Sequence, residues 1–295
     1  MKRAFALLAL AAVVFGATSV AGCHGLRVGT FNVRRFGAED TDMTKLSKLV
    51  ASLDVDVLAV QEIQSESRFR DLAARVSRGG RTYRVAISEC GGRSAMRLGF
   101  LYDERRVALL STKEYPELAP GGRGRCTDGE RPGFVGVFRD GARTVHLLAI
   151  HLTPGGEPGD FAKRRVQWER AHTIAAKLRE DGASAVVVLG DANSTGYRDD
   201  ANGERRFVDE KARAAGMQVE SSDVACTEYY EKEDGLYAPS LLDHAVATTD
   251  LVARNSARVH GYCAELRCDP YRSRTPPPDF ADVSDHCPVT IDLAR

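Results

Sequence analysis

Six short apolar stretches punctuate the chain: Leu26 to Phe31, Val55 to Val60, Leu98 to Tyr102, Val145 to Ile150, Ala185 to Leu189 and Val289 to Leu293. Each is aliphatic or β-branched and is bounded by turn residues, which predicts buried strands. Apolar positions at helical spacing lie between them. Leu46, Leu49, Val50 and Leu53 share one face over Met43 to Leu53. Phe161, Trp168, Ala171, Ala175 and Leu178 do so over Asp160 to Glu180, with Gly182 placed to cap the C-terminus. Strands interleaved with helices predict one α/β domain from about Leu26 to Arg295. No Pro/Ser linker divides it; the charged, Gly- or Pro-rich segments Gly121 to Gly133 and Arg267 to Phe280 read as long surface loops.

The polar residues at the ends of these runs carry the chemistry. Asn32 follows Phe31, Gln61-Glu62 follow Val60, His151 follows Ile150, Gly190-Asp191-Ala192-Asn193 follow Leu189, Asp243 follows Leu242, and Ser284-Asp285-His286 precede Pro288. A strand buried on both faces ordinarily ends in Gly, Pro or Ser. Here the ends bear hard oxygen ligands and two imidazoles. Each has an ordinary reading alone: Asn32 as a turn amide, Glu62 as a solvated strand end, Asp191 as a helix cap, His151 as a satisfied core histidine. Gathered on one rim, they form a donor set for Mg²⁺ or Mn²⁺, with two histidines left for proton and charge work.

In order and wording these elements resemble the endonuclease/exonuclease/phosphatase family, most closely its deoxyribonuclease I branch. The resemblance rests on Thr30-Phe31-Asn32-Val33-Arg34-Arg35-Phe36-Gly37, Gln61-Glu62, Arg131-Pro132, His151, Gly190-Asp191-Ala192-Asn193, Asp243 and Ser284-Asp285-His286-Cys287-Pro288-Val289. It implies a four-layer sandwich, two mixed β-sheets packed face to face with helices outside, and cleavage of phosphoesters with a divalent metal. Glu62 would be the main metal ligand, with Asp285 helping and Asn32 orienting it. His286 would be the general base and Asp243 its orienter. Asp191 and Asn193 would position the attacking water or complete a second metal site, and His151 would bind the phosphate or protonate the leaving oxygen. Arg131 and Arg35 would hold phosphate oxygens. Mg²⁺ is the expected cofactor, with Mn²⁺ as a substitute and Ca²⁺ as a structural or co-activating ion. One segment departs from the branch: a Glu that supports the first His there is replaced by Ser94-Ala95-Met96-Arg97-Leu98, which leaves His151 without a carboxylate partner at that place.

Composition narrows the setting. The chain has 295 residues, 43% hydrophobic and 28% charged, which excludes a disordered or collagen-like protein. Residues 1–22 read as a leader: Lys2 and Arg3, an apolar run from Ala4 to Phe15, then small residues. The leader ends Val20-Ala21-Gly22-Cys23, similar to a bacterial lipobox, so Cys23 is the expected lipid anchor, with an ordinary secretory leader as the alternative. The expected location is extracytoplasmic, membrane-anchored or secreted, with residues 23–295 as a monomeric domain. Six further cysteines (Cys90, Cys126, Cys226, Cys263, Cys268 and Cys287) predict three disulfides. Cys263 with Cys268 is the favoured pair, and no CxxC spacing suggests zinc.

Three functions are compatible with this reading. The first is a non-specific endonuclease acting on DNA, or RNA, with affinity supplied by a local stripe among Arg34, Arg35, Arg93, Arg97, Arg123, Arg125, Arg131, Arg164 and Arg165; Arg164 and Arg165, on a helix, read as solvated. The second is a phospholipid (sphingomyelinase-like) or inositol-phosphate phosphoesterase. The third, a catalytically inactive lipid-anchored binding protein, is opposed by the presence of both imidazoles and four carboxylates.

Overall fold

The computed structural model describes residues 25–37, 40–119, 126, 129–249 and 251–294. The leader, Cys23, Arg123 and Arg125 lie outside them. One six-stranded sheet runs β13 (Arg258–Val259), β15 (Val289–Asp292), β1 (Arg27–Phe36), β2 (Val57–Ile63), β4 (Arg97–Asp103), β3 (Tyr83–Ile87). The other runs β5 (Ala108–Tyr115), β6 (Gly133–Asp140), β7 (Arg143–His151), β8 (Ala185–Asp191), β12 (Asp243–Thr248), β9 (Met217–Val219). A small third sheet joins β10 (Glu228–Glu233), β11 (Leu236–Ser240) and β14 (Tyr271–Arg272). The pairs β1/β2 and β7/β8 are parallel and their neighbours antiparallel, so both large sheets are mixed.

Side chains alternate faces along a strand, and the core divides accordingly. Val28, Val57, Phe100, Phe138, Leu147, Ala149, Val187, Leu189 and Ala245 fill the space between the two large sheets. The opposite faces bury Phe31, Leu58, Val60 and Leu101 under α1 (Met43–Ser52) and α2 (Glu66–Val76), and Leu148, Ile150, Val186, Val188 and Val246 under α3 (Pro158–Glu180) and α4 (Glu204–Ala214). This is the expected four-layer α/β sandwich. Local chemistry fixes the helix starts: Asp42 accepts from the Thr44 and Lys45 amides at α1, and a Glu157/Asp160 capping box with Pro158 opens α3. No helix among the described residues is long and apolar enough to cross a membrane.

Three expectations change. Arg164 is not a solvated helix residue but is fully buried, with Nε and Nη2 donating to both Glu204 carboxylate oxygens at 2.7 and 3.0 Å and Nη1 to the Gly155 carbonyl. A buried charge pair of this kind is costly to break by removing one partner; here it ties α3 to α4 and to the loop after β7. Segment Arg267 to Phe280 is not wholly loop, because β14 pairs with β11. Cys263 does not pair with Cys268: the disulfides are Cys90–Cys126, Cys226–Cys268 and Cys263–Cys287. Cys263 lies in α5 (Tyr262–Glu265), and the turn that returns the Cys268 amide to the Cys263 carbonyl aims the two sulfurs at different partners.

The layer beneath α3 has a consequence for acid stability. His244, opposite in facing to Asp243, is buried against Trp168 and Tyr197, with Nδ1 on the Ser221 hydroxyl and Nε2 lacking a partner. Burial pushes its pKa down to about 3, and His172 shifts in the same direction for the same reason. Unfolded, both titrate near about 6.5. The unfolded chain therefore takes up more protons below that pH, and these histidines cost stability as pH falls, His244 by up to about 1.4 kcal/mol per pH unit and His172 in the same direction. The buried carboxyls of Asp191 and Glu228, both raised, act in the opposite direction over the same range, so the contribution of His244 is read as a difference. From pH 7 to pH 4 the urea midpoint of His244→Phe should gain relative to that of the unmodified protein, and a difference that stays constant with pH would exclude His244 as a cause.

Candidate active site

The candidate site's side chains continue the alternation that builds the inter-sheet core. Along β7 the inward positions Val145, Leu147 and Ala149 lead to His151; along β8, Ala185, Val187 and Leu189 lead to Asp191; along β12, Ala247 and Ala245 lead to Asp243. His151 and Asp243 are each in register with Asp191, one on either side. Residues directly opposite across paired strands share a face, so the three form a row across one sheet. Val28 leads to Asn32 on the facing sheet in the same way, and the Asn32 amide crosses the gap to donate to Asp191 Oδ2 at 2.8 Å.

Register shifts interrupt β1 between Asn32 and Phe36 and β2 between Val60 and Ile63, and such irregularities re-aim side chains. They coincide with left-handed backbone at Arg35 (φ 46°) and Glu62 (φ 63°). Non-glycine residues occupy this region at an energetic cost that surrounding contacts must offset. At Glu62 the contacts are the Asn32 amide on Oε1 at 3.0 Å and the Arg35 backbone N–H on Oε2 at 2.7 Å. Asn193 (φ 51°) curls back likewise, with its N–H on Asp191 Oδ1 and its side-chain amide on the Leu152 carbonyl.

His286 enters from the loop before β15. Its Nδ1 meets Asp243 Oδ2 at 2.8 Å, and its Nε2 lies 3.8 Å from Asp191 Oδ2. The Ser284 hydroxyl accepts the His286 N–H and donates to the Asn32 carbonyl, pinning this loop to β1. The Thr227 hydroxyl accepts the backbone N–H groups of both Leu242 and Asp243. His151 Nε2 sits 3.4 Å from Asp191 and 3.7 Å from Glu62, while its Nδ1 is buried without a partner. The carboxylates that serve His151 therefore face Nε2, and the absence of an acid in Ser94 to Leu98 is not made good at Nδ1.

The two imidazoles are driven apart. Burial, then the charges of Arg131 and His286, lower His151 well below its ordinary value. Burial also opposes a charge on His286, but Asp243 and Asp191 outweigh it and raise His286 well above the usual range. Burial raises Asp191, opposed by His286.

Arg131 is placed differently from the role drawn from the resemblance. Arg131 is buried, and its Nε and Nη2 donate to the carbonyls of His151 and Leu152, so it braces the end of β7 from behind. Asp285 belongs to neither of the two sets of convergent ligand atoms, Glu62/His151/Asp191 and Asp191/Asp243/His286, in each of which the donors lie within 4.8 Å of one another. Arg35 is exposed beside Glu62.

Sequence reasoning did not single out Glu228. It pairs directly with His286 in an isolated antiparallel bridge, and burial, with Asp285, Asp191 and Asp243 adding to it against His286, pushes its carboxyl up to about 8. The run Glu228-Tyr229-Tyr230-Glu231-Lys232-Glu233 carries too many charges for one acid to stand out, and the placement depends on a partner distant in the chain.

The donor set fits a hard divalent cation. Two carboxylates and a neutral imidazole converge, and the Asn32 Oδ1 oxygen beside them is buried and unpartnered.

A family model described as endonuclease/exonuclease/phosphatase matches residues 29–286. No curated protein matches the chain. Among solved structures, D. rerio TDP2 complexed with single strand DNA product is 14% identical, with a TM-score of 0.61 over 92% of this chain and 99% of that one. An endonuclease/exonuclease/phosphatase from Bacteroides vulgatus is 20% identical, with a TM-score of 0.60 over 91% and 98%. The Bacteroides thetaiotaomicron mannosyl-6-phosphatase is 13% identical, with a TM-score of 0.59 over 92% and 100%. At these identities the likeness is one of fold.

Proposed function

Because the chain belongs to the endonuclease/exonuclease/phosphatase family, we propose that it is a divalent-metal-dependent phosphodiesterase in which water attacks phosphorus in line. The observation that carries this is the meeting of Asn32 and Glu62 from one sheet with His151, Asp191 and Asp243 from the other, closed by His286. Glu62, Asp191 and His151 would hold Mg²⁺ or Mn²⁺. When bound, such a cation neutralises phosphate charge and offsets the carboxylate field that keeps His286 protonated. Nε2 of His286 accepts the proton of the attacking water, and Asp243 stabilises the imidazolium that results. Asn193 would orient that water beside Asp191.

The substrate best supported is a small phosphodiester. Of the seven described arginines in the stripe expected of a nuclease, four are engaged elsewhere: Arg131 and Arg164 are buried in structural bonds, Arg34 donates to the carbonyls of Phe280 and Ala281, and Arg97 faces Glu66. A second reading, endonuclease action on DNA or RNA, is supported by the DNA product carried by the TDP2 neighbour. An extracytoplasmic location, with Cys23 as lipid anchor, is supported by the leader composition and the three disulfides.

Purified protein offered bis(p-nitrophenyl) phosphate, glycerophosphodiesters and plasmid DNA with Mg²⁺ is expected to turn over the small diesters and to lose that activity with chelator. Persistence of full activity in chelator would remove the metal assignment. Nicking of plasmid at rates above those of the small diesters would favour the second reading.

A further inference from the structure

Beyond the convergent ligands, the site has one flank whose chemistry the proposed reaction does not use. The amide of Tyr229 donates to the Asp285 carbonyl and that of Cys287 to the Thr227 carbonyl, which makes Glu228 and His286 a non-hydrogen-bonded antiparallel pair. In such pairs the Cα atoms are about 4.5 Å apart and the side chains lie close on one face. His286 points at Asp191, so Glu228 stands beside it on the same side.

The face continues outward from there. Side-chain alternation along β10 puts Tyr230 on it, and the β10/β11 register adds Ser240 opposite Glu228 and Ala238 opposite Tyr230. The other face, bearing Tyr229 and Tyr237, is buried against the disulfide cluster. Tyr230 is 44% exposed, among the largest exposures of any bulky apolar residue described. No hydrogen bond or ion pair reaches the Glu228 carboxylate from the described residues, and Glu228 stands outside both sets of convergent metal ligands. Three further carboxylates, Asp285, Asp191 and Asp243, face it. His286 is the one cationic group beside Glu228 among the described residues, and it is committed to Asp243 at 2.8 Å. Glu228 is not a member of the metal cluster and has an open aromatic ring two residues along the same face.

We propose that Glu228, with Tyr230, forms a subsite for a cationic group flanking the scissile phosphate, so that the enzyme selects zwitterionic phosphodiesters bearing an ammonium or quaternary ammonium. This rests on the phosphodiesterase reading. Burial pushes the unpartnered Glu228 carboxyl up to about 8. A cation seated beside it favours the ionised form, which then supplies the counter-charge, and the tyrosine ring offers the cation a face, whereas a second phosphate at this position, as in a polynucleotide, finds no counter-charge.

The test compares two ligands of equal size. Phosphocholine and 3,3-dimethylbutyl phosphate differ only in the charge of the terminal group, and their affinities for the Mg²⁺-loaded protein are read by calorimetry. Phosphocholine is expected to bind about tenfold more tightly, equivalent to about 1.4 kcal/mol. That preference is expected to fall to about unity in Glu228→Gln and by about threefold in Tyr230→Ala, both checked for folding by thermal melting. Equal affinities in the unmodified protein, or a preference that survives Glu228→Gln, would overturn the proposal. So would weakened Mn²⁺ binding in Glu228→Gln with the preference intact, since the carboxylate would then belong to the metal site. Displacement of phosphocholine by glycerophosphocholine or by phosphatidylcholine vesicles supports the subsite and tells a soluble diester from a lipid headgroup; displacement by neither counts against it. A charge preference without hydrolysis of any diester would sink the phosphodiesterase reading and leave the subsite standing.

Discussion

Alanine in place of His286 is expected to slow phosphodiester hydrolysis by about a thousand- to ten-thousandfold while the protein remains folded. The expectation follows from the two ends of the ring. Nδ1 is committed to Asp243 at 2.8 Å, so Nε2 is the only nitrogen that can exchange a proton with a reacting group, and it lies beside Asp191. The loop that carries the ring does not depend on it: the Ser284 hydroxyl holds the His286 backbone, and Cys287 anchors the next residue. Asp243→Asn tests the same dyad with little change in shape. An amide can present its NH₂ to Nδ1 and favour the wrong tautomer, so the loss should reach about a hundred- to ten-thousandfold, mainly in kcat. Steady-state rates on a chromogenic diester, set beside melting curves, decide the matter. Full activity in a folded His286→Ala protein would displace His286 from the role of base.

The second large effect is expected from the disulfide beside that histidine. Cys263–Cys287 closes a separation of 24 residues, and Cys226–Cys268 one of 42. Loop-closure entropy gives each a contribution of about 3–4 kcal/mol. The double substitution Cys263→Ser with Cys287→Ser should therefore lower the melting temperature by about 10 °C. It should also cost activity at temperatures where the protein is still folded, because Cys287 follows His286 and the bridge lies behind the β10 wall that pairs with it. Activity and melting measured together separate the two effects. A variant that melts early yet retains full turnover below its transition would show that the bridge supports the fold and not the site.

Much of this architecture was legible in the sequence, and for a common reason. The six apolar runs correspond to β1, β2, β4, β7, β8 and β15, since strands buried on both faces are written as continuous aliphatic segments. The same property exposed the active site: a carboxylate or imidazole at the end of such a run breaks the pattern sharply. Elements with one wet face left a weaker mark. Helix α4 reads Glu-Arg-Arg-Phe-Val-Asp-Glu-Lys-Ala-Arg-Ala and buries only Glu204, Val208 and Ala212, and β5 is a sheet-edge strand with Ser111 to Glu114 in water or nearly so. Glu228 was hidden for that reason too, in a polar strand. Long-range pairings were illegible for another: Cys263 and Cys268 are neighbours in sequence, but the fold directs each to a sulfur elsewhere. The burial of Arg164 depended on Glu204, which no local pattern links to it.

The bond from Asn32 to Asp191 spans the gap between the two large sheets, and the approach of His151 to Glu62 across it depends on that gap keeping its width. Turnover should thus report on how the sheets slide over one another long before either unravels. Gentle warming, or trimming a ring such as Phe100 or Phe138 in the packed interior, would misalign donors while secondary structure persists. Heat inactivation would then precede heat denaturation, and tolerance to mutation would be narrower for catalysis than for folding.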